Sequence, residues 1–229
     1  PSGWHVAAPN LVLLHGAGGG AWEWRLWRRW FEAHGHASHC PEFSAEASRE
    51  GYTLDGLLER IAAELPPSPR VLVGASFGGL LALLLAERFE CAGLVLVNPA
   101  LPEAAVSSTA GTDLKLWGRL ARVGSTRAAM PDAHPLDVGL AFRSWRDFRL
   151  GLLREARLRV AGVVPAARCL LIASSEDADV PVALARRWAA DQRAELIEVQ
   201  GNHLGPLLGR GWLEAAEASR RWLRALAPS

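Results

Sequence analysis

Residues 74–79 read Gly74-Ala75-Ser76-Phe77-Gly78-Gly79. An apolar run, Val71-Leu72-Val73, precedes them, and a second run, Leu80 to Ala86, follows. Gly74, Ser76 and Gly78 fit a Gly-x-Ser-x-Gly elbow, the sharp turn that carries a chain from a strand into a helix. Small residues are needed around the serine because such a turn is tight and strained. The strain pushes the hydroxyl out at the top of a sheet. The helix N-terminus behind it favours developing negative charge. A serine that merely caps a helix would not need glycines on both sides, and the flanking strand and helix patterns give the motif its context.

The pattern continues on either side of the elbow. Leu11 to Leu14, Ala37 to Pro41, Arg70 to Val73, Ala92 to Val97, Arg168 to Ala173 and Glu195 to Val199 read as strands. Helical patterns fall between and after them, at Trp24 to His34, Thr53 to Leu65, Ser76 to Phe89, Pro181 to Ala190 and Gly211 to Leu226. Thr53 is a suitable N-cap, and Pro66-Pro67 stops the helix that it starts. Strand cores that are continuously apolar and alternate with helices predict an α/β fold, a mostly parallel central sheet with helices on both faces. Between Asn98 and Val164 the alternation lapses, and helical patches stand among loop signals at Gly111, Gly124 and Pro131 to Pro135. Residues 1–98 and 165–229 are therefore expected to form the core, with 99–164 as an inserted helical cap.

With 229 residues, half of them hydrophobic, the chain suits one such domain. The formal net charge of +1 gives no reason to expect a nucleic acid or membrane-surface partner. No apolar stretch approaches the roughly 18 residues of a membrane span. Cys40, Cys91 and Cys169 lie in or beside expected strands and read as small buried hydrophobes, which suggests a reducing, cytoplasmic setting.

A serine hydroxyl attacks a carbonyl only when a base takes its proton, and the base needs an orienting carboxylate. After an elbow the order is serine, acid, histidine, with the last two on loops that follow late strands. Asp177 follows the strand ending at Ala173, in Ser174-Ser175-Glu176-Asp177-Ala178-Asp179-Val180-Pro181. Glu176 and Asp179 compete with it, and its spacing to the helix start at Val180-Pro181 favours Asp177. His203 follows the strand ending at Val199 in a loop of small residues, Gln200-Gly201-Asn202-His203. Most of the other histidines, His5, His15, His34, His36, His39 and His134, fall on expected helix or loop surfaces. Residues 15–22, His-Gly-Ala-Gly-Gly-Gly-Ala-Trp, follow the first strand, where glycines let backbone N–H groups turn inward and, with the N–H of Phe77, hold an acyl oxyanion. The competing reading is a dinucleotide loop built on Gly16, Gly18 and Ala21, with Glu42 as its ribose acid. It lacks the strict final glycine and leaves the elbow, the acid and the histidine without a role.

On these motifs, HGAGGGAW, GASFGG, SSEDADVP and GNH in that order, the chain resembles the α/β-hydrolase superfamily over nearly its full length apart from the cap. The resemblance implies Ser76 as nucleophile, Asp177 as acid and His203 as base, with the Ala17 and Phe77 amides as the oxyanion hole. It implies neither metal nor organic cofactor. In HGAGGGAWEW and in its short lead to the first strand the chain is similar to the plant methylesterase and hydroxynitrile lyase branch and to small bacterial esterases. The lyases carry threonine after the loop histidine and lysine after the catalytic histidine. Here those positions are Gly16 and Leu204, which resembles the esterase side and makes both substrate-facing candidates. Pro41-Glu42-Phe43-Ser44 replaces the usual Asp-x-x-Gly-x-Gly, and Ser174 stands where a glycine is usual.

Substrate choice is expected to lie in the cap. Leu114, Leu116, Trp117, Met130, Leu140, Phe142, Trp145 and Phe148 are its apolar candidates, with Trp117, Phe142 and Trp145 foremost. Its arginines, Arg119, Arg122, Arg127, Arg143, Arg146, Arg149, Arg154, Arg157 and Arg159, read mostly as a solvated face. A minority reading has some of them dock an anionic partner, a carboxylated substrate, a coenzyme A thioester or an acyl carrier protein. Trp22 and Trp24 are expected to pack on the first helix. The function expected is a serine hydrolase of a small-molecule carboxylic ester, acting as monomer or homodimer. The alternatives keep the same three side chains for a thioesterase, a carbon–carbon hydrolase or a lyase, or keep only the fold as a ligand receptor.

Overall fold

The computed structural model describes residues 9–68, 70–103, 113–115 and 117–226. The chain runs β1 (Asn10–Leu14), a 3-10 turn (Ala21–Trp24), α1 (Arg25–Ala33), β2 (Ser38–His39), α2 (Ser44–Ser48), α3 (Leu54–Ala62), β3 (Arg70–Ala75), α4 (Phe77–Ala86) and β4 (Gly93–Val97). It continues through β5 (Leu114–Lys115), α5 (Trp117–Leu120), α6 (Val123–Ala129), α7 (Pro135–Ser144), β6 (Phe148–Arg149) and α8 (Leu150–Val160). It closes with β7 (Cys169–Ser174), α9 (Val182–Gln192), β8 (Glu195–Val199), α10 (Gly205–Leu208) and α11 (Trp212–Arg224). Six strands form one sheet in the order β2-β1-β3-β4-β7-β8, and every pairing in it is parallel.

The strands are apolar throughout because both faces of the sheet are covered. Val12, Leu14, Leu72, Leu94 and Leu171 point to one side, among residues of α3, α4, α8 and α9. Leu11, Leu13, Val71, Val73 and Leu170 alternate to the other, where they meet Trp27 and Phe31 of α1 and Trp222 and Leu223 of α11. Each such side chain contributes on the order of 1.5–3 kcal/mol when fully buried. Helix α4 has no polar face, and Phe77 to Leu85 are all buried, because it lies between the sheet and α8. The sheet edges are managed differently. β2 is two residues long, and β8 carries Glu195 and Glu198 paired with Arg168 and Arg186.

The expected strands and helices appear in place, with ends shifted by a few residues. Thr53 caps α3 as read, its Oγ1 accepting from the Gly56 amide at 3.1 Å. The segment between β4 and β7 holds a short antiparallel pair, β5 with β6, besides its helices. Two residues per strand are too few for alternation to register in a sequence. The pair is pinned by Asp113, whose carboxylate takes the Gly151 amide at 2.6 Å and Arg149 Nε at 2.9 Å. Cys40, Cys91 and Cys169 are all unpaired, and burial pushes the thiols of Cys40 and Cys169 up to about 12.

Candidate active site

Ser76 sits between β3 and α4 with φ 51° and ψ −117°, a left-handed backbone that costs a non-glycine residue of order 1–3 kcal/mol. It occupies the N-cap position of α4, yet its side chain makes no capping bond. The turn closes tightly at Gly74, where a Cβ would fall 2.2 Å from Gly78 O, and Gly78 lets α4 lie against the end of β1. A Cβ on Gly78 would fall 2.1 Å from the Leu14 carbonyl oxygen at the end of β1. The Ser76 amide donates to Val97 O and its carbonyl accepts from Ala100 N, both at 3.0 Å, which fastens the elbow to the end of β4. Phe77 is wholly buried, so only its amide could serve chemistry, and at the first turn of α4 that N–H has no intrahelical acceptor.

Asp177 follows β7 and is buried. Its Oδ1 accepts from the amides of Asp179 and Val180 at 2.8 and 2.9 Å, and its Oδ2 meets His203 Nδ1 at 2.7 Å. Glu176 and Asp179, the competing acids, are exposed. Burial alone would lower the His203 pKa; the hydrogen bond and charge of Asp177 outweigh it and leave the imidazole above its ordinary 6.5. Asp177, Asp179 and His203 offer ligand atoms within 4.8 Å of one another, the spacing of a metal site. Both Asp177 oxygens are already engaged by N–H donors, which fits an orienting carboxylate better than a metal ligand.

Asn98 was not singled out by sequence, and it holds this loop. With φ 41° at the end of β4, its Nδ2 donates to His203 O and to Ser174 Oγ at 2.8 Å, and its Oδ1 accepts from Ser174 N at 2.8 Å. Ser174 is fully buried, and both its amide and its hydroxyl are engaged by Asn98. The available signal was an asparagine followed by proline at the end of an apolar run, a residue that tolerates positive φ.

Ser76, His203, Gly16 and Ala17 line one cavity of about 1100 Å³. Trp117, Trp145, Leu204 and Leu114 line it as well. Phe142 does not, and neither do Met130, Leu140 or Phe148. Met130 and Phe148 are buried in the core, Phe148 edge-on to Phe77 at 5.0 Å. Leu116 lies outside the described residues. Trp24 packs on Trp27 of α1 as expected, whereas Trp22 stands edge-on to Trp145 at 5.1 Å.

The glycine loop holds further corrections. His15 and His36 are buried rather than on the surface. The His15 ring stacks on Phe43 at 3.7 Å, and its Nδ1 lies 2.9 Å from Gly16 O. Glu42, the supposed ribose acid, is occupied. It accepts from the Ala21 and Ser44 amides at 3.0 Å and lies 3.3 Å from His15 Nε2. Despite its partial burial, the bond to His15 holds its pKa well below the carboxylate range. Glu23, unnoticed in the sequence, is 2 % exposed, accepts the Gly16 amide at 2.9 Å and lines the cavity. Its carboxylate comes so close to the loop that a Cβ on Gly19 would fall 1.8 Å from Oε1. Burial pushes its carboxyl above the usual range, against the pull of His15 and the Gly16 amide. Arg157 departs from the solvated-face reading, since it is buried and faces the cavity. Among the described residues no helix is long and apolar enough to cross a membrane.

A model described as "Alpha/beta hydrolase family" matches residues 11–222. No curated protein matches the sequence. Among solved structures, the chain is similar to a polyneuridine aldehyde esterase variant, with 18% identity and a TM-score of 0.70 over 96% of this chain and 99% of that one. It is similar to a methylesterase from Arabidopsis at 16% identity and TM-score 0.71, over 93% and 98% of the two chains. A thioesterase domain from the curacin biosynthetic pathway follows at 17% and 0.68, over 95% and 91%. At such identities the likeness is one of fold.

Proposed function

The chain belongs to the alpha/beta hydrolase family, and from that premise we propose that it is a serine hydrolase that cleaves a carboxylic ester through an acyl-enzyme. The observation that carries this reading is the 2.7 Å bond from His203 Nδ1 to Asp177, made on the wall of the cavity that Ser76 also faces. With Nδ1 bonded to a carboxylate, the imidazole keeps its proton there and offers Nε2 as a base. His203 takes the Ser76 proton as the oxygen attacks the carbonyl. The Ala17 and Phe77 amides receive the oxyanion, each worth about 3–4 kcal/mol of barrier. His203 then protonates the departing alcohol and activates the water that releases the acid.

Residues 99–164 act as a cap in this reading, with residues 1–98 and 165–229 as the core. Trp117, Trp145 and Leu114 supply apolar walls to the substrate, and Gly16 and Leu204 leave room beside the loop and the base. The test is hydrolysis of short p-nitrophenyl esters by the purified protein and by Ser76→Ala. The native protein is expected to release p-nitrophenol, and the variant to fall to background with an unchanged circular dichroism spectrum. Turnover that survives the substitution would remove Ser76 from the mechanism.

A further inference from the structure

Arg157 projects from α8, is 8 % exposed and lines the cavity. Its Nε donates to Ala100 O at 3.0 Å, and Ala100 N in turn donates to Ser76 O at 3.0 Å, so the guanidinium lies one residue from the elbow. Its Nη1 is buried and has no hydrogen-bond partner among the described residues. Among the described residues no carboxylate pairs with it. A buried cation with a donor unused among the described residues is costly to keep unless something repays the desolvation. Burial accordingly draws its pKa below the ordinary arginine value. Lys115, the only lysine of the chain, lines the same cavity with its ammonium 4.2 Å from the Trp117 ring centre and no ion pair among the described residues. The acids facing the cavity are Glu23, Glu176 and Asp179. The last two are exposed to water, and Glu23 is engaged by Gly16.

We propose that Arg157, supported by Lys115, binds a free carboxylate on the substrate, so that the ester taken by Ser76 is a half-ester of a dicarboxylic acid or a compound of that class. A planar guanidinium presents paired N–H donors that match a carboxylate, and the apolar walls exclude competing water. This rests on the serine-hydrolase reading and adds the substrate class to it.

The first test separates binding from turnover. Ser76→Ala protein is titrated calorimetrically with monomethyl adipate and with methyl hexanoate. The half-ester is expected to bind about 10- to 100-fold more tightly, the contribution of a charge-assisted hydrogen bond. Adding Arg157→Met should erase the difference, and Arg157→Lys should restore part of it. Equal affinities, or a preference that survives Arg157→Met, would overturn the proposal. Should Arg157→Met fail to fold, the unsubstituted protein decides. Its kcat/KM for monomethyl esters from succinate to suberate is compared with that for the matching methyl alkanoates, and equal or lower values for the half-esters overturn the proposal. Selective binding without hydrolysis of any ester supports the anion site and counts against the hydrolase reading alone.

Discussion

At the scale of single residues, Asp177 sets the behaviour of His203 through the bond to its Nδ1. The imidazole is raised above 6.5 because the bond and charge of Asp177 exceed the effect of burial. A base must be neutral to act, so kcat/KM is expected to rise with pH through a pKa above 6.5 and to be lost as pH falls below it. Asp177→Asn removes the charge and the tautomer preference together. It is expected to lower kcat by about 10³–10⁴-fold and to move the acidic limb to lower pH. A pH–rate profile with the limb unmoved would contradict the assignment. The order and loop context of Ser76, Asp177 and His203 were legible in the sequence, since each follows an apolar strand. Glu23, Asn98 and Arg157 were not. A polar side chain inside a motif or on a helix gives no sign of whether it points to water or inward, and only the packed fold decides that.

At the scale of elements, the elbow depends on how closely α4 approaches β1. Gly78→Ala would drive a methyl into the Leu14 and His15 carbonyls, and because this is backbone it cannot step aside. The expected cost is about 1–3 kcal/mol or more in urea unfolding, with activity lost ahead of stability as Ser76 shifts. Gly139 in α7 is the contrast, since the nearest atom to an added Cβ is the Arg143 side chain at 3.7 Å. Gly139→Ala is expected to stabilise by about 0.5–1 kcal/mol through helix propensity. If both substitutions move the urea midpoint alike, the close approach is not what restricts position 78. Elements with long periodic runs, α4 and the inner strands, were readable because burial on all sides forces continuous apolar sequence. The two-residue strands β5 and β6 were not, and they owe their pairing to Asp113 and not to a pattern.

At the scale of the molecule, a few polar ties join the segment between β4 and β7 to the rest of the chain. Arg146 N donates to Gly18 O at 2.8 Å, beside the candidate oxyanion loop. Asn202 Nδ2 donates to Ala129 O at 2.7 Å, next to His203. Arg25 at the start of α1 pairs with the buried Asp137 of α7. Arg25→Ala would leave that carboxylate buried without its partner, at an expected cost of about 2 kcal/mol. For a chain of this size that lowers Tm by roughly 4–8 °C. Arg25→Leu with Asp137→Leu should recover most of the loss, and a single variant with unchanged Tm would show that this tie contributes nothing. Residues from 16 to 207 line one cavity, and Ser76 is the proposed nucleophile within it. Labelling with a fluorophosphonate, read by intact mass and by peptide mapping, tests this most directly. A single adduct on the peptide bearing Ser76, absent in His203→Ala, is the predicted result; an adduct elsewhere, or an unlabelled protein that still hydrolyses esters, would contradict it.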